Sequence, residues 1–248
     1  MEKDKEVAKQ EQGGAIVPRI SGVGDMPAGG EEVDQGDLKM PRLAIQQGLS
    51  ELVNDGKARM GDLAHSITHE VYGQELQIIP LFMFKSRAQF EAGRGLVMMS
   101  RDNQTVTMGL DEFEQYIGKA IEEVPGSEWE GKEPPKFSLV YNFPVLIAGR
   151  LKEFPVSLSL MKTATKAAKD FISMCQFSGE DWFARVYTLK TKQEKGEKGT
   201  YAVPVIEYLR RCNDEEYLIA KKRFDQFYRR KKDIAVDLES TETVTESN

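Results

Sequence analysis

Four stretches of the chain demand β-structure: 75–84 (ELQIIPLFMF), 137–148 (FSLVYNFPVLIA), 183–192 and 201–209. All are rich in β-branched and aromatic residues, and turn formers separate them. The first two contain Pro80 and Pro144, and a proline has no N–H for a ladder. Pro80 therefore needs a strand edge or a bulge, and Pro144 marks a bend. Weaker strand signals lie at 43–47, 64–72, 96–100, 105–108 and 155–160, with Asp102-Asn103 as a hairpin-like pair. Residues 48–56 hold at most a turn of helix, and a short helix is expected over 111–123. There Phe113, Ile117 and Ile121 recur every fourth residue, and Asp111 with Glu114 resembles a capping box. Another helix follows 160, and Asn213 opens a last one with acids in its first turn and Arg229 to Lys232 in its last. The expected fold is mainly β (α+β): an OB-like β-barrel with inserted helices, which closes its edges, with an open α+β sheet as the alternative.

Composition sets the boundaries. The chain has 248 residues, 40% hydrophobic and 30% charged, enough for one large core with polar ends. Residues 1–37 show no sustained period and read as a disordered segment. Residues 38–232 form the expected single domain, and 233–248 (DIAVDLESTETVTESN) an acidic, disordered tail. Two cysteines exclude a disulfide scaffold and a four-cysteine zinc site. No run of about 18 apolar residues is present, so no membrane is expected to be crossed. The opening MEKDKEVAKQEQ has no apolar stretch of secretory type, and a reducing cytoplasm is the expected compartment.

The formal net charge of −6 is unevenly spread. Residues 1–37 and 38–135 are each net −5, 136–232 is net +9, and 233–248 is net −5. The basic block also holds 15 of the 22 aromatic residues, the composition of a surface that holds phosphates and stacks bases. The competing reading is an aromatic core under a solvated lysine surface.

Two constellations stand out in that block. On a helix, Lys162, Lys166 and Lys169 fall at i, i+4 and i+7, one face that can follow a phosphate backbone. Leu160, Ala164, Ala167, Phe171 and Ile172 supply the opposed stripe. On a strand, alternation puts Phe183, Arg185 and Tyr187 on one face and Lys190 and Lys192 on the other. Tyr141 and Tyr201 are further stacking candidates, on neighbouring strands. Catalytic signals are sparse. His65 and His69 lack the further ligands of a metal site, and no Gly-x-Ser-x-Gly elbow or phosphate-binding glycine loop occurs. Cys175 falls on the apolar side of its helix, and no cofactor is expected. The pairs Glu194–Lys195 and Glu197–Lys198 evoke a metal-dependent nuclease only weakly, since they sit in a glycine-bearing turn.

The ordered blocks PRLAIQQGLSELV, GDLAHSITHEVYGQELQIIPLFMF, SRDNQTVTMG, FSLVYNFPVLI, PVSLSLMKTATKAAKDFISM and WFARVYTLKTKQEKGEKGTYAVPVI carry a resemblance. Over most of 40–210 the chain resembles a family of tailed-phage proteins, and more loosely phage OB-fold single-stranded DNA-binding proteins. The resemblance implies a non-enzymatic accessory of phage DNA replication or recombination in the host cytoplasm. It would coat single-stranded DNA with little sequence preference. The acidic tail would meet replication or recombination proteins. Residues 96–135 contain no cysteine, so no zinc-stabilised version is implied. The alternatives are a phage structural or protein-interaction protein and a metal-dependent nuclease. The oligomeric state is left open.

Overall fold

A computed structural model describes residues 39–91, 93–196, 199–229, 231, 234–236 and 238. The expected segment 1–37, and residues 239–248 of the expected tail 233–248, lie outside the described residues. In chain order, β1 (Lys39–Met40) and β2 (Leu43–Ile45) precede a one-turn helix α1 (Glu51–Asn54), then β3 (Leu63–His65) and β4 (Val71–Gly73). Next come β5 (Glu75–Pro80), β6 (Phe84–Glu91), β7 (Gly95–Ser100) and β8 (Met108–Gly109). After a long excursion follow β9 (Phe137–Ile147) and β10 (Val156–Met161). The 3-10 turn Lys162–Ala164 runs into α2 (Thr165–Gln176). The chain continues through β11 (Arg185–Gly196), β12 (Gly199–Arg211), α3 (Asp214–Tyr228) and β13 (Ala235–Val236).

The protein is mainly β and antiparallel, and proline decides where its large sheet divides. β5 and β6 pair in succession with β9, and the register slips by one residue between the Pro80–Val145 and Phe84–Asn142 pairs. Leu81 donates its N–H to the Pro144 carbonyl, so alternation turns the Pro80 nitrogen to the opposite edge. On that edge β11 pairs with β5 only as far as Ile78, and β7 takes over along β6. The missing donor thus falls in the gap between two wings, β11–β12 and β7–β8. Among the described residues the strand path ends at β12 and β8, and the expected closed barrel is not formed. Instead of curling shut, the sheet is covered on both faces.

Alternation assigns those faces. One face carries Phe143, Val145, Leu158, Tyr187 and Leu189 under the α2 residues Ala168, Phe171 and Cys175. The other carries Ile79, Leu81, Phe84, Leu146 and Val186, with Ala220 of α3. A third cluster, with Val97, Met98, Ile121 and Phe137, lies under the excursion after β8. Each fully buried large side chain contributes about 1.5–3 kcal/mol. Buried Asn142 bridges three strands, donating to Ser86 Oγ and accepting from Ser159 Oγ, both at 2.8 Å. A satisfied polar group of this kind penalises any slip of register.

Two local expectations are corrected. The 64–72 strand is a hairpin: His65 Nδ1 accepts the N–H groups of Ile67 and Thr68, and His69 takes φ 58°. The 111–123 helix is replaced by two 3-10 turns, Asp111–Tyr116 and Ile121–Glu123. Gly118, at φ +85°, separates them, and Asp111 provides no side-chain cap. Of the expected tail 233–248, residues 234–236 and 238 are described. β13 pairs with β1 in parallel, and Val236 and Leu238 are buried on the α3 side of the sheet.

Candidate nucleic-acid interface

The expected stacking surface is largely core. Tyr141, Phe183 and Tyr187 are buried. Phe183 lies in a 3-10 turn, Trp182–Ala184, so it does not share a strand face with Arg185 and Tyr187. Tyr187 meets Phe171 edge-on at 5.0 Å, and its hydroxyl lies 3.6 Å from Cys175 Sγ. Burial raises the Tyr187 phenol and pushes the Cys175 thiol up to about 12, so neither ionises near neutrality. The physical reason is strand alternation beneath α2, which turns Tyr187 inward.

The cations of the two strands are mostly paired. Arg185 Nε donates to Glu180 Oε2 at 2.7 Å, and its guanidinium lies 5.0 Å from the Tyr208 ring centroid. Arg211 pairs with the same carboxylate. Arg185 foremost holds the Glu180 carboxyl below the usual range. Lys190 stands between Glu207 at 3.6 Å and Glu75 at 3.8 Å.

The lysines of the α2 flank differ. Lys162 precedes the helix proper with φ 49°, and its ammonium lies 5.5 Å from the Phe90 ring centroid. Lys166 and Lys169 lie one turn apart on α2 itself. The expected three-lysine helical face is therefore two helical residues plus one at the entry turn. All three are exposed, and among the described residues no carboxylate lies within ion-pair distance of them. Three expected residues converge nearby on Glu194. Lys192 pairs with it at 2.8 Å, and Tyr201 is its cross-strand partner. Lys192 foremost, with Tyr201 and Lys166 adding, holds the Glu194 carboxyl below its ordinary range. The half-buried Tyr201 ring packs on Gly196, where an added Cβ would sit 2.9 Å from its Cε1.

Exposed aromatics lie elsewhere. Trp129 is 68% exposed and Phe177 87%. Lys231 lies 4.3 Å from the Tyr228 ring centroid, and buried Arg223 4.8 Å from that of Phe154. Trp129, Arg87 and Ser127 help to line a cavity of about 390 Å³. The available sequence signal for Trp129 was a large aromatic in a Gly/Pro-bearing polar loop, PGSEWEGKEPPK. Among the described residues, no group of three or more His, Cys, Asp or Glu is placed to hold a metal, and no helix is long and apolar enough to cross a membrane.

No curated protein and no solved structure matches the chain. A family model described as Pam3 phage gp34-like protein matches residues 10–233, nearly the whole of the sheet with both its helices. The chain belongs to the Pam3 phage gp34-like protein family.

Proposed function

We propose that this phage protein binds single-stranded DNA without sequence preference, through its backbone phosphates, as an accessory of replication or recombination. The observation that carries the reading is the flank of α2. Lys162, Lys166 and Lys169 are exposed there with no carboxylate at ion-pair distance among the described residues, on an element anchored by buried Ala168, Phe171 and Cys175. Ammonium groups on a rigid element keep their spacing, which suits a repeating phosphate chain. Lys192 joins them once phosphate competes with Glu194 for its ammonium. Stacking is not assigned to Tyr141, Phe183 or Tyr187, which are buried.

A salt titration with a single-stranded oligonucleotide tests this. Log K is expected to fall linearly with log[salt], with a slope of about −0.7 per phosphate contact. Lys166→Glu should weaken binding to all sequences about equally. Absence of binding at low salt, or a flat salt response, overturns the proposal.

One observation favours a protein-interaction role instead. The outer edge of β12 is blunted only at its start: the Gln47 amide pairs with the Ala202 N–H and C=O at 2.9 and 3.0 Å. Pro204, one outward position further, has no N–H. Beyond it, alternation turns the backbone groups of Ile206 and Tyr208 outward. High copy number in purified particles, with no oligonucleotide binding, would decide for that role.

A further inference from the structure

We propose that the Trp129–Arg87 cavity is a base-docking pocket, in which a nucleobase of the bound strand stacks on the Trp129 indole while its phosphate meets Arg87. The inference rests on the single-strand reading and names the stacking residue that reading lacks.

Register places the cavity next to the lysine flank. Lys162 comes directly after the Met161–Val140 pair, at the level of Leu139, and Leu139 pairs with Arg87. The Lys162 and Arg87 backbones are therefore two strand spacings apart, roughly 10 Å, and the Lys162 ammonium lies over Phe90 of the Arg87 strand. On the neighbouring pair, Lys85 lies over Tyr141, 5.7 Å from the ring centroid. Lys85 and Arg87 have no carboxylate within ion-pair distance among the described residues. They line the seam between the α2 cluster and the cluster under the excursion, because Tyr141 belongs to the first and Phe137 to the second.

The cavity has the chemistry of a nucleotide site. Trp129 presents a largely solvent-exposed aromatic ring that no packing role explains, and Ile121 supplies an apolar wall. Arg87 uses its Nε on Asn103 Oδ1 at 3.0 Å, which fixes the guanidinium and leaves its terminal nitrogens to an anion. Around it, buried polar atoms lack partners among the described residues: Gln89 Oε1 on the same strand, and Arg101 Nε beside the Ser100 that pairs with Arg87. Glu122 and Glu128 also line the cavity. Their carboxylates repel phosphate but accept from exocyclic amino groups, so the base enters and the backbone stays on the Arg87 side.

Tryptophan fluorescence of the full chain with a mixed dA/dC oligonucleotide tests this. The chain has two tryptophans, and Trp182 is half-buried. Binding is expected to quench emission. Trp129→Ala should bind about tenfold more weakly and lose the quench, whereas Trp129→Phe should keep most of the affinity. Arg87→Gln should lower the salt slope by about one phosphate contact. Lys166→Glu should weaken binding and leave the quench at saturation unchanged. An unchanged melting curve for Trp129→Ala ties its loss to binding. If Trp129→Ala binds and quenches like the wild type while Lys166→Glu is weakened, the pocket is overturned and the single-strand reading stands. If the wild type binds no oligonucleotide at low salt, both fall.

Discussion

Glu216 and Glu194 are both carboxylates beside cations, and burial separates what they do. Glu216 is 6% exposed and accepts from Arg210 at 2.6 and 2.8 Å. It also closes a reciprocal capping box with Asn213. Arg210 foremost, and the Asn213 N–H, hold its carboxyl below the ordinary range. A depressed folded pKa stabilises above the unfolded value of about 4.3 and is lost as pH falls through the folded one. Glu216→Gln should therefore cost about 2 kcal/mol at pH 7. Urea denaturation across pH should show the gap to wild type narrowing below about pH 4. Glu194 lies on an exposed ribbon, so Glu194→Gln should leave the melting temperature in place. It should strengthen oligonucleotide binding severalfold by releasing Lys192, which a binding titration reads directly. Asn213 as a helix opener was legible because a cap is a contact within four residues. Glu194 as a clamp was not, because Tyr201 and Lys166 reach it from another strand and from a helix.

Among the elements, α2 was read nearly correctly and the helix after β8 was not. α2 has a stripe that a sheet can cover: Phe171 is fully buried, 5.0 Å from both the Phe143 and Tyr187 ring centroids. Phe171→Ala should cost about 3–5 kcal/mol in chemical denaturation, since its two aromatic neighbours cannot collapse into the space. Over 111–123 the four-residue spacing was present, but Ile117 is half exposed and Gly118 turns left-handed. Periodicity alone does not hold a helix without a surface to bury its stripe. Gly109 reinforces this local geometry, because a Cβ there would strike the Phe113 carbonyl. Gly109→Ala should lower stability by about 1–3 kcal/mol, read from the melting transition.

For the whole molecule, the net charge of −6 conceals a basic block, and the fold then conceals part of that block again. Arg185, Lys190 and Lys192 are matched to carboxylates, so of the cations expected to bind nucleic acid only those of the α2 flank stand exposed without such a partner among the described residues. The C-terminal segment also has a second character. Its acids read as solvated, yet Val236 and Leu238 fill the α3 side of the sheet. Leu238→Ala should cost about 2–4 kcal/mol in urea denaturation, where a solvated tail would show no change.

The sequence by itself determined the strands around 75–84, 137–148, 183–192 and 201–209, the two long helices, and the places where proline interrupts a ladder. These depend on propensity, period and missing donors, all of which act over a few residues. Only the tertiary structure decided that Tyr141, Phe183 and Tyr187 are core, that Trp129 is exposed, and which lysines meet carboxylates. Alternation separates the two faces of a strand but does not say what covers each. Here helices cover both faces of a sheet that stays open, so aromatics on either side are buried. The charges pair according to a register that is set between distant strands.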